Sequence, residues 1–572
     1  MNFSNWNLFG PWTLPAGRQT WTLGIRHWTF NSTSMSLKRV LSVGEIMIII
    51  LLACIPLFAS FPYRLNIFLS WEGAYRMSQG QIPYRDFGMP VGYMYWVIPA
   101  IFFKIFGPQM VTLVKAQVFI NILAGLSFRS ILKSFQLPSV IRLASVLLFC
   151  LSYSFLNFWP WYNHTVIVYE LIALAFLCKY LLTDHSRLFW VILSAVFVFF
   201  SFFTKQDGGG MTFLLCIALL IYDGIERKKW ISLPVFVISF LIIGALMILP
   251  FTKYQFGYWF NHGQPPHSSR ISIRDIISEF LTASQWLKFY LFIILMLIVA
   301  RLNNGWRQFN ANRNEVLFSL LVLGILAEAA IFQVTSYVPA DNNIFFHSFA
   351  IALILFLLSK YLPIGTENWK WTMVCTIGIL LWWSQVYWKY IERFVGKQNT
   401  IATTNYKGYQ YATEVNMHTY MIDLDTTDIP LSQWRQPALK TFRKILLPNS
   451  TVDGIERLMN SELVKGGKQL RVLNMSELTP LAAEIPFELE ASPTYPLWYH
   501  KGVAMFQKET DTFCNRIKNH YYDLVLFEYI PYLNNFYPYE VRDCLESNYK
   551  KIDSFPAPRK PTPHAWVEVY VR

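Results

Sequence analysis

Two carboxylates and three arginines crowd one short stretch between apolar segments. Residues 63–92 carry Glu72 and Asp86 together with Arg64, Arg76 and Arg85. Gly80, Pro83 and Pro90 break helical pattern there, so the acids sit on irregular backbone rather than on a regular charged helix face. Charges at a membrane boundary are ordinarily solvated or paired. The density here suits a more demanding chemistry, transfer of a group from a phosphate carrier to a hydroxyl. A carboxylate takes the proton from the acceptor hydroxyl. Arginine or lysine holds the leaving phosphate and stabilises its developing charge.

Three other polar interruptions qualify as site material. Thr204-Lys205-Gln206-Asp207-Gly208-Gly209-Gly210 separates two apolar segments, and its glycines permit a tight reversal and close backbone approach. Lys205 there either serves the site or snorkels to the interface. The turn Trp159–His164 contains Tyr162 and His164, although Trp and Tyr belong at interfaces anyway. Tyr337 and His347 flank another polar turn. A lone histidine more often serves as a hydrogen-bonded structural residue than as a ligand. The segment 252–285, with Lys253, His262, His267, Arg270 and Arg274, is long and polar enough to cover an acceptor. Its histidines lack metal-ligand spacing, and no CxxC or His/Cys cluster suggests a structural zinc site. A divalent metal is left open without support.

The elements that must position these residues are membrane helices. The 572 residues are 54% apolar, 17% aromatic and only 15% charged, against about 25% charged in soluble domains. Spans of about 20 apolar residues are expected near 43–62, 110–130, 139–158, 163–182, 188–204, 210–223, 231–250, 286–300, 316–335, 344–361 and 371–391. The apolar segment 93–107 is shorter and carries Lys104; it reads as a helix lying along the interface. With it outside, every inside loop is basic: Arg129, Lys133 and Arg142; Lys179 and Arg187; Arg227, Lys228 and Lys229; Arg301, Arg307 and Arg313; Lys360 and Lys370. The positive-inside rule then gives about eleven spans, a cytoplasmic N-terminus and an exported C-terminal domain. The net charge of +14 is distributed along helix ends, which argues against nucleic acid as a partner. Glu170 and Glu328 lie inside apolar segments and are expected to be paired within the bundle or near a helix end.

Residues 1–34 show no clean period and no signal-peptide core, and read as disordered or as a mis-called start before Met35. The membrane domain covers 35–391, with its first outside loop at 63–109. Residues 392–572 read as a soluble α/β domain. In it a helix is capped by Ser450-Thr451 and runs towards Lys465, ending at Gly466-Gly467. Strands follow at 469–474 and 523–528, with a last edge strand at 566–571. It holds no GxGxxG or Walker loop. Cys514 and Cys544 lie in this tail, where export permits a disulfide. Cys54, Cys150, Cys178, Cys216 and Cys375 lie in apolar segments and are expected to act as small buried hydrophobes.

Glu72-Gly73-Ala74-Tyr75, Gly80, Pro83-Tyr84-Arg85-Asp86-Phe87, Pro90 and the ending Lys104-Ile105-Phe106-Gly107 resemble the first outside loop of the GT-C glycosyltransferases. The branch is that of protein O-mannosyltransferases and lipid A aminoarabinose transferases. The resemblance implies many spans followed by an extracytoplasmic domain and a polyprenyl-phosphate sugar donor. It also implies inverting transfer on the outer face, in a bacterial inner membrane, to a glycan, lipid or protein acceptor. Asp86 is then the first expected base and Glu72 the second. Arg85, Lys205, Arg64 and Arg76 are expected at the donor phosphate. Tyr84, Tyr162, His164, Asp207, Tyr337 and His347 are expected around the substrate. One departure is Trp71, which stands where the branch usually has the first acid of an Asp-Glu pair. The rival from another class is a transporter or flippase of lipid-linked glycans, which predicts charged residues inside several spans.

Overall fold

The computed structural model describes residues 37–58, 61–62, 67–89, 91–153, 157–183, 187–254, 273–282, 284–303, 312–336, 344–365, 368–384, 387, 402–406, 409–413, 433–493, 495–497, 505–529, 538–558 and 565–572. The expectations for residues 1–34, Arg64, His262, His267, Arg270 and Tyr337 lie outside these residues.

Helix α1 (Leu37–Cys54) leads into two short helices of the first loop, α2 (Ile67–Ser78) and α3 (Met94–Phe106). Then come α4 (Met110–Ser134), α5 (Ser139–Ser152), α6 (Tyr162–Leu182), α7 (Leu188–Thr204), α8 (Gln206–Arg227) and α9 (Ser232–Ile248). The amphipathic α10 (Ile273–Thr282) precedes α11 (Gln285–Leu302), α12 (Arg313–Ser336), α13 (Ile344–Leu358) and α14 (Trp369–Trp382). A helix stands at each expected span. Among the described residues seven of them, α1, α4, α6, α8, α9, α11 and α12, are long and apolar enough to cross a membrane. The shorter α5 has every residue buried. At 1.5 Å per residue its 14 residues reach about 21 Å, so it fills the bundle core rather than facing lipid. Helix α3 is apolar, short and interrupted by Pro99, and it packs on α2 and α4.

Several of the basic residues assigned to inside loops are in fact paired. Glu45 of α1 is fully buried between Arg129 and Arg142, at 2.6 and 2.8 Å. Arg301 holds Glu315 at 2.8 Å, and Arg313 pairs with Asp223 and Glu226. These bonds tie helix ends that are remote in sequence. Cys150, Cys178 and Cys216 are buried as expected, whereas Cys54 and Cys375 are only half-buried.

The C-terminal part contains a five-stranded sheet in the order β7-β6-β8-β10-β9. Strands β1 (Phe61–Pro62), β2 (Ala402–Tyr406), β3 (Tyr409–Thr413), β4 (Trp434–Arg435) and β5 (Ile445–Pro448) precede it. The sheet itself is built from β6 (Leu470–Met475), β7 (Phe487–Glu488), β8 (Leu524–Tyr529), β9 (Lys550–Pro556) and β10 (Trp566–Val571). The expected edge strand, β10, is interior: it pairs antiparallel with β8 on one side and β9 on the other. The lysine-bearing β9 takes the edge instead, as suits an edge strand. The expected helix after Ser450 is two, α15 (Asn449–Asn460) and α16 (Glu462–Lys465), because Ser461 starts a new helix by accepting from the Val464 N–H. Helices α17 (Phe506–Lys518) and α18 (Tyr539–Asn548) are joined by a Cys514–Cys544 disulfide.

The first loop and this sheet share one hydrophobic core. Trp71, Phe87 and Trp96 belong to the same packed cluster as Leu473, Leu526 and Val569. Strand β1, just after α1, also pairs with β5.

Candidate active site

The site starts from the fit of α2 against α3. Gly73 allows it: a Cβ there would come 2.0 Å from the Trp96 ring, whose Nε1 donates to the Leu69 carbonyl at 3.0 Å. Trp71 is fully buried, stacked on Tyr75 and bonded to the Pro108 carbonyl. It is a packing residue, and its neighbour Glu72 carries the charge.

After α2 the chain reverses through Gly80 (φ 89°) and Tyr84 (φ 64°). The left-handed backbone at Tyr84 is uncommon for a bulky residue. It is held by its N–H to the Phe87 carbonyl at 2.7 Å and its hydroxyl to the Val91 carbonyl at 2.9 Å. This turn presents Asp86, whose Oδ2 accepts the Ile82 N–H at 2.7 Å.

Ion pairs then organise the loop. Arg85 grips Asp86 in a two-pronged bond, Nε to Oδ1 at 2.8 Å and Nη2 to Oδ2 at 2.6 Å, while its own side chain is 40% exposed. Arg76 is buried and bonds Glu72 at 3.0 Å, the Gln81 side chain at 2.9 Å and the Glu490 carbonyl at 2.9 Å. Arg76 also acts on Asp86 through its charge, so it joins both acids. Burial pushes the Glu72 pKa up, and Arg76 only partly offsets this. Burial pushes Asp86 up as well. There the Arg85 and Ile82 hydrogen bonds, with the charges of Arg85 and Arg76, win and leave it below the usual aspartate value.

Lys205 lies between α7 and α8 and pairs with Asp207 at 2.9 Å, with its ammonium 4.7 Å from the Phe332 ring centre. Gly209 lets the two helices close up, since a Cβ there would meet the Phe202 backbone at 2.0 Å. The first loop reaches this place directly. Gly92 lies against the Phe203 carbonyl, Tyr93 meets the Phe203 ring at 4.9 Å, and Tyr84 meets Tyr93 at 6.4 Å. Tyr162 feels the Asp207 charge and packs edge-on against Tyr95 at 5.9 Å. A cation beside a helix N-terminus, next to an aromatic wall, is suited to an anion.

Glu72, Arg76, Tyr84, Arg85 and Asp86 thus form one cluster, connected through aromatic rings to Tyr162, Lys205 and Asp207. His164 follows Tyr162 by two residues at the start of α6, and His347 lies in α13. The His164 carbonyl accepts from Tyr153 at 2.6 Å, and buried His347 bonds the Tyr290 hydroxyl at 3.0 Å amid Trp286 and Trp383. Sequence reasoning missed Gln81, Tyr254, which interacts with Arg85, and Glu490 and Tyr495. Gln81 sat within the marked loop and Tyr254 within the marked segment 252–285; Glu490 and Tyr495 carry no local signal. Among the described residues no group of three or more His, Cys, Asp or Glu could hold a metal ion, and both first-loop acids are already committed to arginines.

By its helices this is an integral membrane protein with a C-terminal sheet region. No family model matches the chain, and no curated protein does. Nine chains of solved structures match. The chain is similar to ArnT from Cupriavidus metallidurans bound to undecaprenyl phosphate, at 11% identity and a TM-score of 0.39 over 63% of this chain and 66% of that one. It is similar to the apo form of ArnT at the same identity and TM-score, over 64% and 66%. The match therefore spans just under two thirds of the ArnT chain.

Proposed function

We propose that the protein transfers a sugar from a polyprenyl-phosphate donor to an acceptor hydroxyl at the outer face of the membrane, with inversion. The acceptor is borne by a glycan, a lipid or a protein. In this reading residues 35–391 are the membrane domain, residues 392–572 lie on the extracytoplasmic face, and the N-terminus is cytoplasmic. The basic inside loops and the Cys514–Cys544 bond in the exported part support that orientation.

The observation that carries the proposal is the Asp86–Arg85 pair, half-open to solvent and linked through Tyr84, Tyr93 and Phe203 to the Lys205 end of α7. Asp86 is the base. Locked by Arg85 it is a weak one, because its proton affinity is low. A donor phosphate competes for the Arg85 guanidinium, and as Arg85 turns to it Asp86 becomes more basic. The acceptor hydroxyl then gives its proton to Asp86 while its oxygen bonds the anomeric carbon. The bond from that carbon to the phosphate oxygen breaks, and the electron pair leaves with the polyprenyl phosphate. Lys205 and Arg85 hold that charge. Glu72 keeps Arg76 in place.

The test is reconstitution with undecaprenyl-phosphate sugars, comparing wild type with Asp86→Asn and Glu72→Gln. Loss of transfer in Asp86→Asn supports the assignment; normal transfer by both variants overturns it. A second reading, a transporter or flippase of lipid-linked glycans, is favoured by one observation: Glu170 and Glu328 meet inside the bundle. Movement of the glycan lipid across vesicles without transfer would establish it.

A further inference from the structure

Residues 489–493 and 495–497 of the C-terminal part meet the Asp86 turn through hydrogen bonds. Three backbone bonds make the contact. The Ser492 N–H donates to the Asp86 carbonyl at 2.8 Å, the Gly88 N–H to the Tyr495 carbonyl at 2.7 Å, and the Leu497 N–H to the Gly88 carbonyl at 3.0 Å. The last two form a parallel bridge between Gly88 and Pro496. In such a bridge the N–H of the facing residue points away, so proline costs nothing at that position. The segment reaches Arg76 as well: Tyr495 lays its ring 4.3 Å from the guanidinium carbon, and the Glu490 carbonyl accepts from Arg76 at 2.9 Å.

The segment is anchored from behind by α17. Glu490 pairs with Arg516 and accepts the Tyr522 hydroxyl at 3.1 Å. The Tyr495 ring meets Phe513 edge-on at 6.3 Å. Cys514, whose disulfide ties α17 to α18, lies between Phe513 and Arg516 in sequence. A continuous path thus runs from the disulfide to α17, to segment 489–497, and to both acids of the first loop.

We infer that segment 489–497 is a built-in part of the candidate site, with Tyr495 and Glu490 as positioning residues that hold Arg76 and the Asp86 turn in register. This rests on the transferase reading for its reaction but not for its structural content. A catalytic loop braced only by its own turn would wander, and misplacement by about 1 Å costs on the order of 100-fold in rate. The C-terminal part therefore serves the chemistry itself as well as any acceptor.

The test uses the full chain in lipid nanodiscs, as wild type, Tyr495→Ala and Tyr495→Phe. Hydrogen exchange of the peptide spanning 79–89 is measured alongside transfer from an undecaprenyl-phosphate sugar. In Tyr495→Ala the exchange of that peptide rises at least about 10-fold while peptides of α4–α8 stay unchanged. The kcat falls about 10-fold to 100-fold with donor KM within about 2-fold. Tyr495→Phe, which keeps the ring over Arg76, recovers most of both. Unchanged exchange at 79–89, or a loss confined to KM, overturns the inference. If wild type transfers nothing, the reaction assignment fails, and the exchange result alone still decides whether the segment braces the loop.

Discussion

Two pairs of acids in this protein are handled in opposite ways. Glu72 and Asp86 lie on the first loop, and each holds an arginine. Glu170 of α6 and Glu328 of α12 lie inside the bundle, within reach of one another and of Thr212. All four of their carboxyl oxygens are buried with no hydrogen-bond donor among the described residues. A lone charge in such surroundings is too costly to keep, so a proton shared between the two acids is what lets them stay there. The first-loop acids are the opposite case: each has a cation in hydrogen-bond contact, and at Asp86 that contact outweighs burial. An arginine within hydrogen-bond reach is what separates the first-loop carboxyls from the bundle pair.

The largest effect is expected where the comparison is sharpest. Asp86→Asn should lower transfer by about 10²- to 10⁴-fold, whereas Glu170→Gln, which keeps shape and hydrogen bonding, should stay within about 3-fold of wild type. Equal losses in initial-rate assays would erase the distinction between the pairs.

The bundle pair makes a stability prediction. Glu328→Ala strips Glu170 of its partner and leaves a buried carboxyl unmet, at a cost of about 1–3 kcal/mol. Thermal unfolding in detergent should fall accordingly. Glu328→Gln should lose much less, because an amide still donates to Glu170. If the alanine variant melts with wild type, the two carboxyls do not bond one another. A smaller change is expected for Arg85→Lys, which keeps the charge but loses the two-pronged grip. Transfer should drop about 10-fold, read as a change in kcat/KM for the donor.

The chain announces some of this and conceals the rest. Apolar runs mark each bundle helix because hydrocarbon surroundings demand apolar side chains, and the helix those residues form bonds its own backbone locally. The first loop stands out for the same kind of reason: acids, arginines, glycines and prolines fall within thirty residues of one another. Gly73 and Gly92 then prove to be contact points for Trp96 and for the end of α7. What stays hidden is pairing at a distance. The Arg76 bond to Glu490 spans 414 residues, and nothing near either residue encodes it. The placement of β10 between β8 and β9 was missed for the same reason, since an alternating strand looks alike at an edge or inside. The contacts of Glu490, Ser492 and Tyr495 with the first loop were likewise beyond local pattern.

The finest discrimination is between the two first-loop acids themselves, and pH supplies it. The Asp86 pKa is held below its ordinary 3.8 because hydrogen bonds and the charges of Arg85 and Arg76 outweigh burial. That of Glu72 is raised above 4.5 because burial outweighs Arg76. The two therefore contribute to stability with opposite sign. Asp86 adds stability that is present above pH 3.8 and lost as the pH falls through its folded value. Glu72 adds stability that is present below pH 4.5 and lost as the pH rises through its folded value. The acid-side decline of the unfolding midpoint should thus become shallower in Asp86→Asn, and the stabilisation on acidification that Glu72 supplies should be missing in Glu72→Gln. Activity separates them too. With Asp86 as base, kcat/KM, which reports the free enzyme, stays level from neutrality down past the ordinary aspartate value and declines only at more acid pH. A decline that begins above pH 4.5 in wild type and disappears in Glu72→Gln would hand the role of base to Glu72, leaving Asp86 as the residue that docks Arg85.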